Sequence, residues 1–321
     1  DYGFYNEREM KACFMGTPSF AVPILDELLN SNHTVVAVYT SPDQPEGRGG
    51  IRQFSSVKER ALEKGIPVFQ PATLKSPREQ REFAELAPDF VVVAAYGRLV
   101  PARLLSMPML GFLNVHPSLL PAYRGPAPVV TALLEGEETT GVSLMLLDED
   151  LDTGPLIAQR LLRINEEDTG SSLTRRLFDL GAELIRETLP LWLKGQIDPI
   201  PQDTARATYT KKLTRRDGQI SWAMAGEEIY RRHKAFVPWP GVYTYWRGKI
   251  LKLLGVQALT STSSLECGTV VPVDLGDICV GVVTGNGVLG ITRLQIEGKR
   301  PLPAQEFVRG YPDFLRSRLP S

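Results

Sequence analysis

Cysteine and histidine are scarce in this chain, with three of each in 321 residues. Cys13, Cys267 and Cys279 lie far apart, without CxxC spacing and with no histidine close by in sequence. That scatter supports neither a disulfide framework nor a zinc knuckle. The three read as small buried hydrophobes in a reducing compartment, and a cytoplasmic location is expected. No apolar run approaches the ~18–20 residues of a membrane span, and the opening "DYGFYNEREM" is too polar for a signal peptide. The Walker A lysine and the GxSxG elbow are also missing, and the three glycines of GxGxxG are absent from the first strand-to-helix turn. The first strand-to-helix turn, "FMGTPSF", offers Gly16 alone with Pro18 behind it, which argues against a nicotinamide enzyme.

What is present suits an ordinary globular protein long enough for two domains, with 43% hydrophobic and 23% charged residues. The net charge of −1 conceals a division. Residues 1–205 hold 19 Lys and Arg against 28 Asp and Glu, whereas residues 206–321 hold 17 against 9. A second half of +8 either docks on the acidic half or meets a polyanion such as nucleic acid.

The first half alternates short apolar strands with helical periodicity. Strands are expected at "KACFMG" (11–16), "HTVVAVYT" (33–40), "IPVFQ" (66–70), "DFVVVAAYG" (89–97), "GFLNVH" (111–116) and "GVSLMLLD" (141–148). Helices are expected at 18–31, 56–65, 76–87 with Ser76 as N-cap, 126–136 and 171–194. This is the pattern of a Rossmann-like, doubly wound, mostly parallel sheet. Residues 194–218 are polar, basic and proline-containing, and read as a surface linker. Beyond a helix at 225–236, glycine-broken runs such as "GVYTYW", "KILKLLGV" and "ICVGVV" suggest a small antiparallel β-barrel of the oligonucleotide-binding type.

Ligands of open α/β sheets bind beyond the carboxyl ends of the strands. Three motifs fall there: "AYGRLVP" (95–101), "NVHPSLLP" (114–121) and "LDEDLDTG" (147–154). Asn114 and His116, two apart on a strand, point the same way, and Pro117 ends the ladder. An amide and an imidazole side by side can polarise a carbonyl and move a proton, although a lone strand-end histidine can equally be structural. Asp148, Asp150 and Asp152 alternate like a calcium loop. However, Thr153 stands where that loop needs glycine, and Gln159 where it needs glutamate. The segment reads better as a turn presenting Asp152, a carboxylate suited to orienting an imidazole. The loop "SPDQPEGRGG" (41–50) is long for a β-to-α connection, so it is either a binding lid or a surface loop, with Arg48 able to approach a phosphate.

Taken together, "NVHPSLLPAYRG" and the later "LDTG" resemble the signature of the folate-dependent formyltransferases. The similarity runs along nearly the whole chain, through "MGTPSFAVPIL", the "PDxPxGRG" loop, "AYGRLVP" and "AFVPWPG" (235–241). These outer segments look like the branch of the family that acts on methionyl-tRNA. The signature alone also fits glycinamide ribonucleotide or sugar-nucleotide formyltransferases. Gly50 and Ile51 replace the lysines common after GRG, leaving Arg52 as the nearest substitute, and Pro126 replaces a usual alanine. The tail before Met10 matches nothing.

The resemblance implies a catalytic domain over 1–193, a basic linker over 194–213 and a tRNA-binding barrel over 214–321. It implies a monomer that needs no metal and passes a formyl group from 10-formyltetrahydrofolate to the methionine α-amine of initiator methionyl-tRNA. Asn114, His116 and Asp152 would carry the chemistry. Tyr96, Gly97, Ser118, Leu119, Leu120 and Pro121 would line the folate pocket. Arg48, Arg52, Lys211, Lys212, Arg215, Arg216, Arg231, Arg232 and Lys234 would meet tRNA. A formyltransferase for another small amine, or a catalytically silent RNA-binding protein, are the rival readings.

Overall fold

The computed structural model describes residues 9–46, 51–261 and 263–320, with the backbone alone at 44–46, 51 and 52. The chain forms two compact units. One comprises Asp1–Pro128, Glu138–Ile164 and Leu173–Thr210, the other Val129–Glu137, Asn165–Ser172 and Lys211–Ser321.

In the first unit the apolar runs become β1 (Lys11–Gly16), β2 (Thr34–Tyr39), the short hairpin β3 (Gln44–Glu46) and β4 (Ile51–Gln53), β5 (Val68–Phe69), β6 (Phe90–Ala94), β7 (Phe112–His116), β8 (Thr139–Leu146) and β9 (Leu156–Arg163). Seven of them form one sheet in the order β5-β2-β1-β6-β7-β8-β9. The pairs from β5 to β7 are parallel, and β8 and β9 add antiparallel. β9 was not expected. Its alternating exposure, with Gln159, Arg160 and Arg163 among the leucines, is that of an edge strand rather than a buried run.

Strand alternation sorts the core into two layers. Ala12, Phe14, Val92, Leu113 and Val115 face α1 (Val22–Leu29), α2 (Ser56–Glu63) and α6 (Gly170–Leu193) through Ile24, Leu28, Val57, Ala61 and Phe178. Cys13, Met15, Tyr39, Val91, Val93 and Phe112 face α3 (Pro77–Leu86) and α4 (Ala102–Leu105) through Phe83 and Leu104. Ser76 caps α3, its Oγ accepting from the Glu79 N–H. By parity Asn114 and His116 share the face of Phe112. The two edges of the sheet are β5 and β9. β5 has two residues, and Leu156 at the start of β9 exchanges two N–H···O bonds of 2.8 Å with Ile200.

The segment read as a surface linker pairs with the first unit up to Thr210, including a parallel bridge between Arg124 and Tyr209. In the second unit, α5 (Pro128–Glu135) for the most part and α7 (Gly226–Ala235) accompany an antiparallel sheet. Its path is β10 (Val242–Trp246), β11 (Lys249–Leu259), β14 (Val288–Ile296), β13 (Ile278–Val283), β12 (Val270–Leu275), with β15 (Leu302–Pro303) beside β14. Irregular register at Gly255 bends the long β11. Trp246 anchors this core in edge-on or tilted ring contacts with Phe307, Tyr311 and Phe314, from α8 (Ala304–Gly310) and the turn after it.

Candidate active site

The strand order reverses between β1 and β6, so a crevice opens at the carboxyl ends of these strands. Gly16 is required there by close approach, because a Cβ would lie 2.8 Å from the Ala94 carbonyl oxygen. The next loops are tied together at Thr17, whose Oγ1 lies 3.2 Å from Ser41 Oγ and donates to the Tyr96 carbonyl at 3.4 Å. Tyr96 is buried, and its hydroxyl finds no hydrogen-bond partner among the described residues; the same holds for Tyr39 at the end of β2. Burial pushes the Tyr96 phenol up to about 12, so it remains a neutral donor. An orphaned buried donor beside a crevice suits a polar ligand atom or an ordered water.

β7 carries Asn114, half-buried between Val93 of β6 and Met145 of β8, and two residues on His116, only 5% exposed. Two neighbouring segments meet the imidazole. Its Nε2 lies 3.1 Å from the Tyr123 carbonyl oxygen, and its Nδ1 3.7 Å from Asp152 Oδ2. Tyr123 and Asp152 both adopt left-handed backbone, with φ of 60° and 54°, where non-glycine residues are uncommon. Asp152 Oδ2 also accepts the Gly125 N–H at 2.8 Å. A carbonyl can only accept, so Nε2 carries the proton in both charge states and Nδ1 is the nitrogen that titrates. The tautomer is thus set by the Tyr123 carbonyl. What falls to Asp152 is stabilising the cation. Burial holds the His116 pKa below the ordinary imidazole value, against the opposing pull of Asp152 and the Tyr123 carbonyl. At neutral pH the ring is therefore a free base.

The acidic turn is organised as a turn. Thr153 Oγ1 lies 2.8 Å from both oxygens of Asp148, while Glu149 and Asp150 face solvent. Among the described residues no group of three His, Cys, Asp or Glu is placed to hold a metal ion. Gly154 closes it against β8, where a Cβ would sit 1.9 Å from the Leu146 carbonyl oxygen.

The Ser118–Pro121 turn is held from behind. Ser143 on β8 donates to the Ser118 carbonyl at 2.6 Å and accepts the Leu120 N–H at 3.0 Å. Gln159 on β9 donates to the Leu120 carbonyl and to Ser143 Oγ. The Ser118 hydroxyl is buried and spent on the Ala122 carbonyl, and Leu120 is buried as well. Leu119, Pro121 and the left-handed Gly97 remain accessible at the surface of the site. Ser143 and Gln159 escaped the sequence reading. The one available signal was a lone serine inside the apolar run of β8.

Residues 10–189 match the model of the formyl transferase family, and residues 212–312 match that of its C-terminal domain. The chain belongs to the formyl transferase family. A methionyl-tRNA formyltransferase of Roseiflexus sp. (strain RS-1) is 44% identical over 304 residues, 94% of this chain and 92% of that protein. The methionyl-tRNA formyltransferase of Geobacillus thermodenitrificans is 41% identical over 92% of this chain and 93% of its own. In fold, the chain is similar to HypX from Aquifex aeolicus in complex with tetrahydrofolic acid. That likeness has a TM-score of 0.63 at 19% identity, over 97% of this chain and 48% of that one. An N-formyltransferase from Helicobacter canadensis gives 0.64 at 19% identity over 88% and 98%.

In this formyl transferase the cations foreseen as RNA contacts fall into three groups. Arg48 lies outside the described residues, and Arg52 sits on β4 with only its backbone described. Lys211, Lys212, Arg215 and Arg216 are exposed, at the entrance to the second unit. The α7 cations are half-buried, and two of the three are engaged within the second unit. Arg232 pairs with Glu228 at 3.4 Å, and Lys234 donates to the Glu166 carbonyl over the Tyr230 ring. Arg231 has its Nε buried.

Proposed function

We propose that this chain formylates methionyl-tRNA, using 10-formyltetrahydrofolate as donor. Formylation of methionyl-tRNA is carried by relatives of that name matching the chain almost end to end, with both family segments in place. Folate as the donor follows from the family and from the tetrahydrofolate-bound neighbour in fold. The 10-formyl form is the reading that suits the residues, because its N10 leaves only when a proton reaches it.

The steps balance on the residues of β7. The methionine amine attacks the formyl carbon, and the C=O π pair moves onto oxygen. Asn114 donates its amide to that oxyanion. Nδ1 of His116 takes the proton released by the amine, and Asp152, 3.7 Å away, stabilises the resulting imidazolium. The oxyanion pair then re-forms C=O, the C–N10 bond breaks with its electrons going to N10, and His116 returns the proton to that nitrogen. Leu119, Pro121, Gly97 and the Tyr96 phenol border the donor, and Lys211, Lys212, Arg215 and Arg216 meet tRNA phosphates.

The deciding experiment supplies purified protein with 10-formyltetrahydrofolate and either initiator methionyl-tRNA or an amino-sugar nucleotide. Formylmethionyl-tRNA is expected as the product. Formylation of the sugar alone would transfer the chain to the small-amine branch, and no transfer to either would leave the silent RNA-binding reading.

A further inference from the structure

Gln202 stands in the polar segment after α6, where sequence gave no reason to notice it, yet it uses both ends of its amide. Its Nε2 donates to the Asp152 carbonyl at 2.9 Å and to the Gly154 carbonyl at 2.7 Å. Its Oε1 accepts from Arg124 Nε at 3.1 Å and Nη2 at 2.9 Å. Arg124 is 1% exposed, and its remaining nitrogen, Nη1, donates to the Tyr209 hydroxyl at 3.1 Å. The backbone around it is fixed as well. Arg124 N–H donates to the Thr208 carbonyl at 2.9 Å, and Thr210 N–H returns a 2.7 Å bond to the Arg124 carbonyl.

These contacts surround the two groups that hold His116. On one side of Arg124 is the Tyr123 carbonyl, which meets Nε2; on the other is the Gly125 N–H, which meets Asp152 Oδ2. The left-handed conformation of Asp152 is one that L-residues keep only when their surroundings over-determine it. The Gln202 amide clamps the carbonyl of that same residue and the one two further on. We infer that Gln202, gripped by Arg124, is a positioning residue that fixes the Asp152 turn relative to His116. This rests on the assignment of Asp152 and His116 to the reaction. It makes the segment 200–210 part of the catalytic machinery rather than a tether between units.

Two substitutions separate positioning from mere adhesion. Gln202→Ala removes every bond. Gln202→Glu keeps the shape and strengthens the grip on Arg124, but opposes two carbonyl oxygens with a carboxylate and cannot donate to them. Steady-state formyl transfer to methionyl-tRNA is measured for both, alongside Asp152→Ala and the Asp152→Ala/Gln202→Ala pair, with thermal unfolding of each. Displacement of an orienting group by about 1 Å costs on the order of 100-fold. Both Gln202 variants are therefore expected to lose about 10- to 100-fold in kcat, with KM for the folate within about twofold. Gln202→Glu is expected to lose less thermal stability than Gln202→Ala, because the ion pair with Arg124 offsets part of the two lost hydrogen bonds. In the Asp152→Ala background the Gln202→Ala loss is expected to shrink to about twofold, as for groups acting through one another.

A parental kcat in Gln202→Glu would overturn the inference, as would a loss confined to KM. So would a Gln202→Ala loss of the same size with or without Asp152, which would make Gln202 a structural clasp. If Gln202→Ala does not fold, Gln202→Glu alone decides. A parental rate in Asp152→Ala would instead remove Asp152 from the mechanism, a failure of the underlying reading that the single variant reports by itself.

Discussion

At the scale of the residue, the proposed chemistry depends on His116, a histidine kept neutral by burial. In the proposed mechanism, replacing His116 with alanine removes the proton carrier, and general acid–base catalysis of this kind is worth roughly 100- to 10,000-fold. A kcat loss in that range is expected in single-turnover formyl transfer, with folate binding retained in a fluorescence titration. Asn114→Ala removes one oxyanion donor and is expected to slow the same step by about 100- to 1,000-fold. The acid side of the pH profile follows from burial. His116 must be neutral to accept the proton, and its pKa lies below the ordinary value of about 6.5. The acid limb of kcat/KM should therefore fall below pH ~6.5 and not at it. Asp152→Asn deletes the carboxylate that pulls this pKa upward, so the limb should move further toward acid while the rate drops. A limb that moved toward neutral pH would mean that Asp152 does not face the charged ring.

At the scale of the element, the site is mounted on a central strand and braced by turns. Gly154→Ala would drive a Cβ into the Leu146 carbonyl and displace the whole Asp152 turn. A loss of both thermal stability and kcat is expected, read by calorimetry and by the formylation assay. Ser143→Ala strands the Leu120 N–H and the Ser118 carbonyl behind the proline turn, at a cost of about 1–3 kcal/mol in urea unfolding. Sequence alone showed β6, because a β-branched run buried on both faces has few alternatives. It also showed Asn114 and His116, because strand alternation fixes what shares a face. β9 stayed hidden, since Gln159, Arg160 and Arg163 give an edge strand the composition of a loop. The segment 200–210 stayed hidden for the related reason that its contacts are made by main-chain groups and by scattered polar side chains such as Gln202, Thr208 and Tyr209, which carry no hydrophobic period. The tautomer of His116 was illegible because it depends on a backbone carbonyl, and carbonyls have no letter in a sequence.

At the scale of the molecule, the separation of charge along the chain acquires a finer address. Lys211, Lys212, Arg215 and Arg216 are exposed, whereas Arg232 and Lys234 answer to Glu228 and Glu166. Changing the first four to glutamine should flatten the salt dependence of methionyl-tRNA binding by about 0.7 for each phosphate no longer neutralised. Arg232→Gln should leave that slope nearly unchanged. Filter binding over a range of salt checks both, and equal effects from the two sets would place the helix on the RNA after all. The edges of the catalytic sheet bear on a different matter, the company the protein keeps at high concentration. A strand of two residues at one side offers a foreign strand almost no template, and the Leu156–Ile200 pair occupies the start of the other. Arg160 on that second edge is further engaged with Glu183 and Glu187. The start of β9 is thus denied to a foreign strand by Ile200, from the same stretch of chain whose Gln202 bonds the Asp152 carbonyl, and charged side chains blunt the rest of that edge against self-templated growth into fibres.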